Sequence, residues 1–578
     1  MFRTTRKHLL PVVALTASIS LLAAACSDGD NANETPTAGG TGTTTDTPAE
    51  KIDRPLVVFA GSQTPITANF NPYAPGVLHG AMGPIYENLF YYNKTAADAP
   101  VPMLGESFSY NEDGTELTVK IRQGVKWNDG KDLTANDVVY SLTNVAAKAK
   151  YIKDVTAPDA STVVITGTEP LFANEFAMLG GTFIVPEHVF GQYTDIDKMV
   201  AFANDKDPVG TGPFMLEAAT GESYTLKANP TYWQTGKPAL QTVQYLGIDA
   251  NNSAQNLMTA GEIDYMSLFV PNPESITSGG IVEMVNTPMD PTVIYTCSNA
   301  DQGCEGAQTD VAVRQALDVA INRGEINDKA FVGLAGTISP TFALLGRDDK
   351  WIGEGITKES PQSPDVAKAE SILTEAGYAK GSDGIFAKDG KRVSMKLFSI
   401  SGWSDYNAAA ELIATQARAA GIEVVPEMGD WDGFSAMRLS GKFELIMGGM
   451  TGTSIADPFT LYRDWFTSER TQPVGKDLVT GSGQWNIPRY TNDIVDEAVA
   501  TAAATNDEAV KKEAYAKLQA EITRDLPYIP IVINATQTWF NTADYGNWPT
   551  EGNMFAFPAA WGSSSAGVVL ANVTGPTK

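Results

Sequence analysis

Histidine is scarce. Three occur in 578 residues, and His8, His79 and His188 stand far apart along the chain. Chemistry that relies on paired histidines, or on histidine-rich metal ligation, is therefore nearly excluded. The motifs of the common exported and nucleotide-using enzymes are missing too. There is no nucleophile elbow, phosphate loop, dinucleotide fingerprint or zinc-protease helix signature. Basic residues are outnumbered, with 41 Lys and Arg against 68 Asp and Glu and a net charge of −27. An excess of that sign argues against nucleic acid and against an anionic membrane surface as direct partners. The acidity is spread along the chain and reads as a solubilising surface. Cysteine is nearly as rare as histidine, at Cys26, Cys297 and Cys304. Long apolar runs are lacking after residue 25, so nothing later reads as a membrane span.

The single apolar run is informative. Residues 1–8 carry Arg3, Arg6 and Lys7, and residues 9–25 hold no charge. A basic start, an apolar stretch and small residues before a cut form an export signal. Three alanines precede Cys26, as in a bacterial lipoprotein processing site, although Ala23 stands where such sites usually have Leu. Cleavage before Cys26 would leave its thiol to take two acyl chains, enough for stable anchoring. An uncleaved membrane anchor is the alternative. Residues 26–53 are Thr, Gly, Ala and Asp with almost no large apolar side chain, which predicts a flexible tether. In an exported chain the remaining pair, Cys297 and Cys304 in CSNADQGC, reads as a disulfide.

About 525 residues follow the tether, too many for one core, so two or three domains are expected. PLVVFA (55–60) reads as a buried strand. ELTVKI (116–121) alternates as a half-buried strand, NDG (128–130) as a turn, and Thr134 with Asp137 as a capping box opening a helix. Gly210, Gly212 and Pro213 form a turn feeding a strand. Residues 310–326 carry one apolar stripe and predict a single helix. A second helix is expected over 363–378, with Ser363 as its cap and Gly377 at its end. VSMKLFSI, a helix over 406–421 and IEVVPEM make a strand–helix–strand unit with a parallel pair.

These segments, in this order, resemble the family 5 solute-binding proteins that serve oligopeptide-type ABC importers. The resemblance rests on NPY (71–73), IYENLFYYN (85–93), KIRQGVKWNDGKDLTANDVVYSL (120–142), GTGPF (210–214), NPTYW (229–233), VRQALDVAINR (313–323) and LTEAGY (373–378). It implies an α/β, two-lobed clamp of the periplasmic-binding-protein type II kind, with an extra inserted domain. Lobe I would comprise 54–90, 209–292 and 536–578, the inserted domain 91–208, and lobe II 293–535. It further implies a non-enzymatic monomer without cofactor or metal. Such a protein captures a small-molecule ligand between its lobes and hands it to ABC permease subunits. A lipid anchor on Cys26 would hold it at the outer face of the cytoplasmic membrane. The same clamp could serve a sensor or adhesin. An exported hydrolase with a carboxylate pair is the remaining alternative, although the resemblance leaves no room for a separate catalytic domain.

The ligand is open between oligopeptide and oligosaccharide. Peptide-binding relatives hold the ligand's amine on an Asp shortly before an Asp-Pro pair. Here Asp457-Pro458 is present but Ser454 stands at the amine-binding place. Seven of the ten tryptophans lie beyond residue 400, and flat aromatic rings suit the apolar faces of sugars. Trp403, Trp431, Trp465, Trp485, Asn486 and, near the first strand, Asn69 are therefore candidate ligand contacts beside Ser454. Asn71 could share that role or only shape its turn.

Overall fold

The computed structural model describes residues 50–61, 65–480 and 483–576; Cys26, the export signal and all but the end of the tether lie outside them. The first strand, β1 (Leu56–Phe59), buries three of its four residues. A separate antiparallel sheet follows, built from β2 (Gly105–Tyr110), β3 (Glu116–Ile121), β4 (Ile152–Asp159) and β5 (Thr162–Gly167) in the order β2-β3-β5-β4. Its core holds fully buried Trp127, against which helix α1 (Ala135–Thr143) packs Val138. Thr134 and Asp137 do form the capping box, with the Thr134 N–H donating to Asp137 Oδ2 at 2.9 Å.

The chain then returns to the sheet begun by β1. Strands β6 (Phe214–Ala219), β7 (Ser223–Ala228), β8 (Thr242–Leu246) and β9 (Tyr265–Ser267) join it, and two long strands carry it onward. These are β10 (Val282–Thr296) and, near the chain's end, β14 (Tyr528–Asn541). Between them come β11 (Ser394–Ile400), β12 (Glu423–Gly429) and β13 (Leu445–Gly449). The ten strands run in the order β12-β11-β13-β10-β14-β9-β1-β8-β7-β6. One sheet thus passes through both lobes. The β10–β14 ladder runs from Val282–Asn541 to Thr287–Thr536 and, past an irregularity, from Asp290–Asn534 to Tyr295–Tyr528. The register slips between Pro288 and Asp290. Proline cannot donate to a ladder, so Pro288 and Pro291 weaken the pairing there.

Separate apolar clusters serve the lobes. One gathers Leu56, Phe70, Tyr224 and Trp548. Another sets Ile413 of α5 (below) against Leu397 and Met447. Glycine is required where the first lobe closes on itself. A Cβ on Gly210 would overlap the Ile85 carbonyl, and the Gly212 N–H donates to that same oxygen at 2.9 Å.

Two helix expectations are corrected. The single helix over 310–326 is two, α2 (Val311–Ala320) and α3 (Arg323–Ala330). Ile321 is extended and the Asn322 side chain caps α3 by accepting from the Glu325 N–H at 3.0 Å. The break lets fully buried Arg323 reach the Pro530 carbonyl at 2.8 Å. Helix α4 (Val366–Glu375) is capped by Asp365 rather than Ser363, since the Asp365 carboxylate accepts from the Lys368 N–H at 2.9 Å. The strand–helix–strand unit is β11, α5 (Ser404–Ala419) and β12, with a parallel pair of strands.

Candidate functional site

Strands β11, β12 and β13 are parallel. Ser394–Ile400 pairs with Glu423–Gly429 residue for residue, and Leu397 and Phe398 pair with Leu445 and Ile446. Their carboxyl ends therefore share one edge, the edge where open α/β sheets hold ligands. Three connections leave it: Ser401–Trp403 into α5, Asp430 into α6 (Trp431–Ser440), and Met450–Ser454 toward α7 (Phe459–Phe466). Chain topology thus delivers Trp403, Trp431 and Ser454 to the same side of lobe II.

A cavity of about 310 Å3 lies between the parts of the molecule. Lobe II supplies Ser454 and the inserted region Phe176 and Phe183. The remaining wall comes from Tyr91, Tyr92 and Lys94 and from the turn Phe557–Ser565. Ser563 in that turn holds φ +49° and ψ −118°, a backbone strain of roughly 1–3 kcal/mol kept in place by its surroundings. A larger cavity of about 420 Å3, beside Glu87 and Lys237, takes no residue of lobe II. Of these two, the smaller one is lined by Ser454.

Arg347 ties the cleft together. Its guanidinium donates to the Lys94 carbonyl at 2.7 Å and to the Thr453 carbonyl at 2.9 Å. It forks onto the Asp348 carboxylate at 2.8 and 2.7 Å and also reaches the Thr453 hydroxyl. Lys94 projects its ammonium over the Phe557 ring, 3.8 Å from the centroid, with Trp561 at 5.9 Å. Burial lowers the Lys94 pKa; nearby Asp290 opposes that shift and Arg347 adds to it.

Trp403, Trp431, Trp465 and Trp485 belong to a chain of rings that does not line this cavity. Trp403 meets Tyr406 and Phe434 edge-on at 5.2 and 5.6 Å. Trp431 stacks on Phe434 at 5.6 Å and is 53% exposed. The Arg438 guanidinium lies 5.9 Å from the Trp431 ring and 5.6 Å from Trp485, joining the two. Trp485, half-buried, stacks on Trp465 at 5.6 Å.

Two expected contacts, Trp465 and Asn486, belong to the scaffold instead. Trp465 is 3% exposed and packs against Tyr295 and Tyr528. Asn486 is fully buried; its amide donates to the Thr467 and Tyr490 carbonyls at 2.9 and 2.7 Å and accepts from the Tyr490 N–H. Asn69 spends its Oδ1 on the Asn71 N–H at 3.1 Å, shaping the turn before Pro72. Asn71 is likewise consumed, donating to the Met199 and Phe202 carbonyls. Asp457 closes the start of α7 and pairs with Lys511 and Tyr515. Cys297 and Cys304 are joined in a disulfide at the end of β10. Lys94, Arg347, Arg438 and Phe557 carry no local sequence signal; they are brought in by loops from distant parts of the chain. Among the described residues no three His, Cys, Asp or Glu side chains converge as metal ligands would, and no helix is long and apolar enough to cross a membrane.

Comparison with known proteins agrees with this geometry. The model of the bacterial extracellular solute-binding proteins, family 5, matches residues 99–472. Protein XP55 of Streptomyces lividans is 31% identical over 429 residues, covering 72% of this chain and 73% of that one. The glutathione-binding protein GsiB of Escherichia coli K12 is 26% identical over 535 residues, covering 87% and 94%. Among solved structures, the periplasmic oligopeptide-binding protein of Thermotoga maritima superposes with a TM-score of 0.79 at 24% identity, covering 90% of this chain and 99% of that one. The same protein with mannohexaose bound gives 0.73 at 24% identity, with 91% and 99% covered.

Proposed function

Because the chain belongs to the bacterial extracellular solute-binding proteins of family 5, we propose that it is the lipid-anchored substrate-binding component of an ABC importer. In this reading it captures an oligopeptide or oligosaccharide between its lobes and delivers it to the membrane permease. One observation carries the reading: the cavity is walled by both lobes and the inserted region, so a solute there touches all three at once. Ligand then favours the closed arrangement through contacts that exist only when the lobes meet. Cys26 carries the anchor, and a tethered monomer stays at high local concentration beside its permease.

Relatives divide over ligand, one being named for glutathione and another solved with mannohexaose. Ser454 in the cavity wall offers a hydroxyl where a peptide amine would want a carboxylate. Trp403, Trp431 and Trp485 extend an aromatic surface from the same edge. Both features suit a sugar. A thermal-shift screen against mixed di- to penta-peptides and mixed oligosaccharides tests the reading. Ligand at about a hundred times its Kd adds about 2.7 kcal/mol. A rise with either set supports capture; no rise with both sets overturns it.

A further inference from the structure

The cavity between the lobes contains one charge. Of its lining side chains only Lys94 is cationic, and none is Asp or Glu. The Lys94 ammonium makes no hydrogen bond or ion pair among the described residues; its contacts are the faces of Phe557 and Trp561. Of the carboxylates behind the wall none bonds the ammonium, although the Asp290 charge acts on it from a distance. Glu175 accepts from the Tyr92 and Tyr110 hydroxyls at 3.0 and 3.1 Å. Asp348 is held by Arg347, and Asp290 accepts from the Gly452 N–H at 3.2 Å. An ammonium partly removed from water with three unused donors is costly unless a ligand supplies acceptors. Two rings hold it in place by cation–π attraction in a wall that also contains Ser454 and Ser563.

We infer that the cleft selects solutes bearing a carboxylate, which Lys94 Nζ receives while the serine hydroxyls and aromatic rings hold the rest of the molecule. This rests on the capture reading above and adds the ligand's charge to it. The carboxylate can be the free end of a peptide or a uronic-acid unit of a sugar.

Calorimetric titration of the purified protein with four probes separates these cases: a tetrapeptide pool with free carboxyl ends, the same pool amidated, tetragalacturonate, and neutral maltotetraose. One carboxylate-bearing probe should bind about tenfold or more tighter than its neutral counterpart, the worth of one hydrogen-bonded charge. Which probe it is identifies the source. Lys94→Met, which keeps the stem over the rings, should abolish that preference with the melting midpoint held, and Lys94→Arg should keep it. If Lys94→Met lowers the midpoint, Lys94→Gln replaces it. Equal binding of charged and neutral probes, or a preference that survives loss of the ammonium, overturns the inference and leaves capture standing. Binding of no probe overturns both.

Discussion

Arg347 in lobe II donates a hydrogen bond to the backbone carbonyl of Lys94 on the opposite side of the cleft, at 2.7 Å. The bond reads position rather than side-chain identity, so any residue at 94 would complete it. Its donor is held by Asp348, and both side chains are almost wholly buried, at 3% and 2% exposure.

Arg347→Ala should therefore act twice. It leaves the Asp348 carboxylate buried and unpaired, at a cost of about 3–5 kcal/mol, and it removes the bond to the Lys94 carbonyl. The double change Arg347→Met with Asp348→Asn should recover most of the stability but not the contact. Thermal melting with ligand titration separates the two effects.

Trp431 and Trp465 should differ sharply. Trp431 is exposed and stacks on Phe434, so Trp431→Ala should cost only about 0.5–1.5 kcal/mol of stability while weakening an oligosaccharide ligand. Trp465→Ala should cost about 3–5 kcal/mol, because its ring is enclosed by Tyr295, Tyr528 and Trp485. Denaturant unfolding beside titration of each variant checks both.

Stability should depend on Glu87. Burial raises its pKa from 4.5 to about 7, opposed by hydrogen bonds from Tyr232 and Trp233 and by the charge of Arg122. The folded protein keeps this proton where the unfolded chain has lost it. The group's contribution is therefore complete below about pH 4.5 and is lost as pH rises through about 7. The fall is about 3 kcal/mol across that window. Glu87→Gln should remove this component, seen as a flatter difference curve in urea unfolding between pH 5 and 8.

Reducing the Cys297–Cys304 bridge, which spans seven positions, should lower stability by about 2–3 kcal/mol. Cys304→Ser should reproduce the loss, and reductant should then have no further effect on the variant's melting midpoint.

Much of this fold is legible in local pattern. The unit from β11 to β12 is marked by alternating strands, a glycine stop and an intervening helix stripe, all decided by near neighbours. The break at Ile321 is not, because the apolar stripe runs through it. A local signal stands there all the same, Asn322 three residues before Glu325 as the cap of α3, and Arg323 then reaches the distant Pro530 carbonyl. The same limit governs the site. Trp403, Trp431 and Ser454 follow strand ends and could be placed from topology, whereas Asn486 and Trp465 share their residue types yet face inward. Lys94 follows a recognisable segment, but nothing near it in sequence foretells Phe557 and Trp561. Its role exists only once the carboxyl-terminal turn comes back across lobe I.

The two long strands, finally, make the chain between them a closed excursion. It leaves β10 and returns through β14 at positions paired in one ladder, Asp290 beside Asn534. Its beginning and end are therefore neighbours, and no third connection threads it to the rest of the described chain. Such a segment is interchangeable in principle. The matching segment of a relative could be grafted with two joins in a single pair of strands. The graft would carry Ser454 and the tryptophan surface with it and leave Lys94 and the turn at Phe557 behind. A chimaera of this kind would apportion selectivity between the two halves of the cleft.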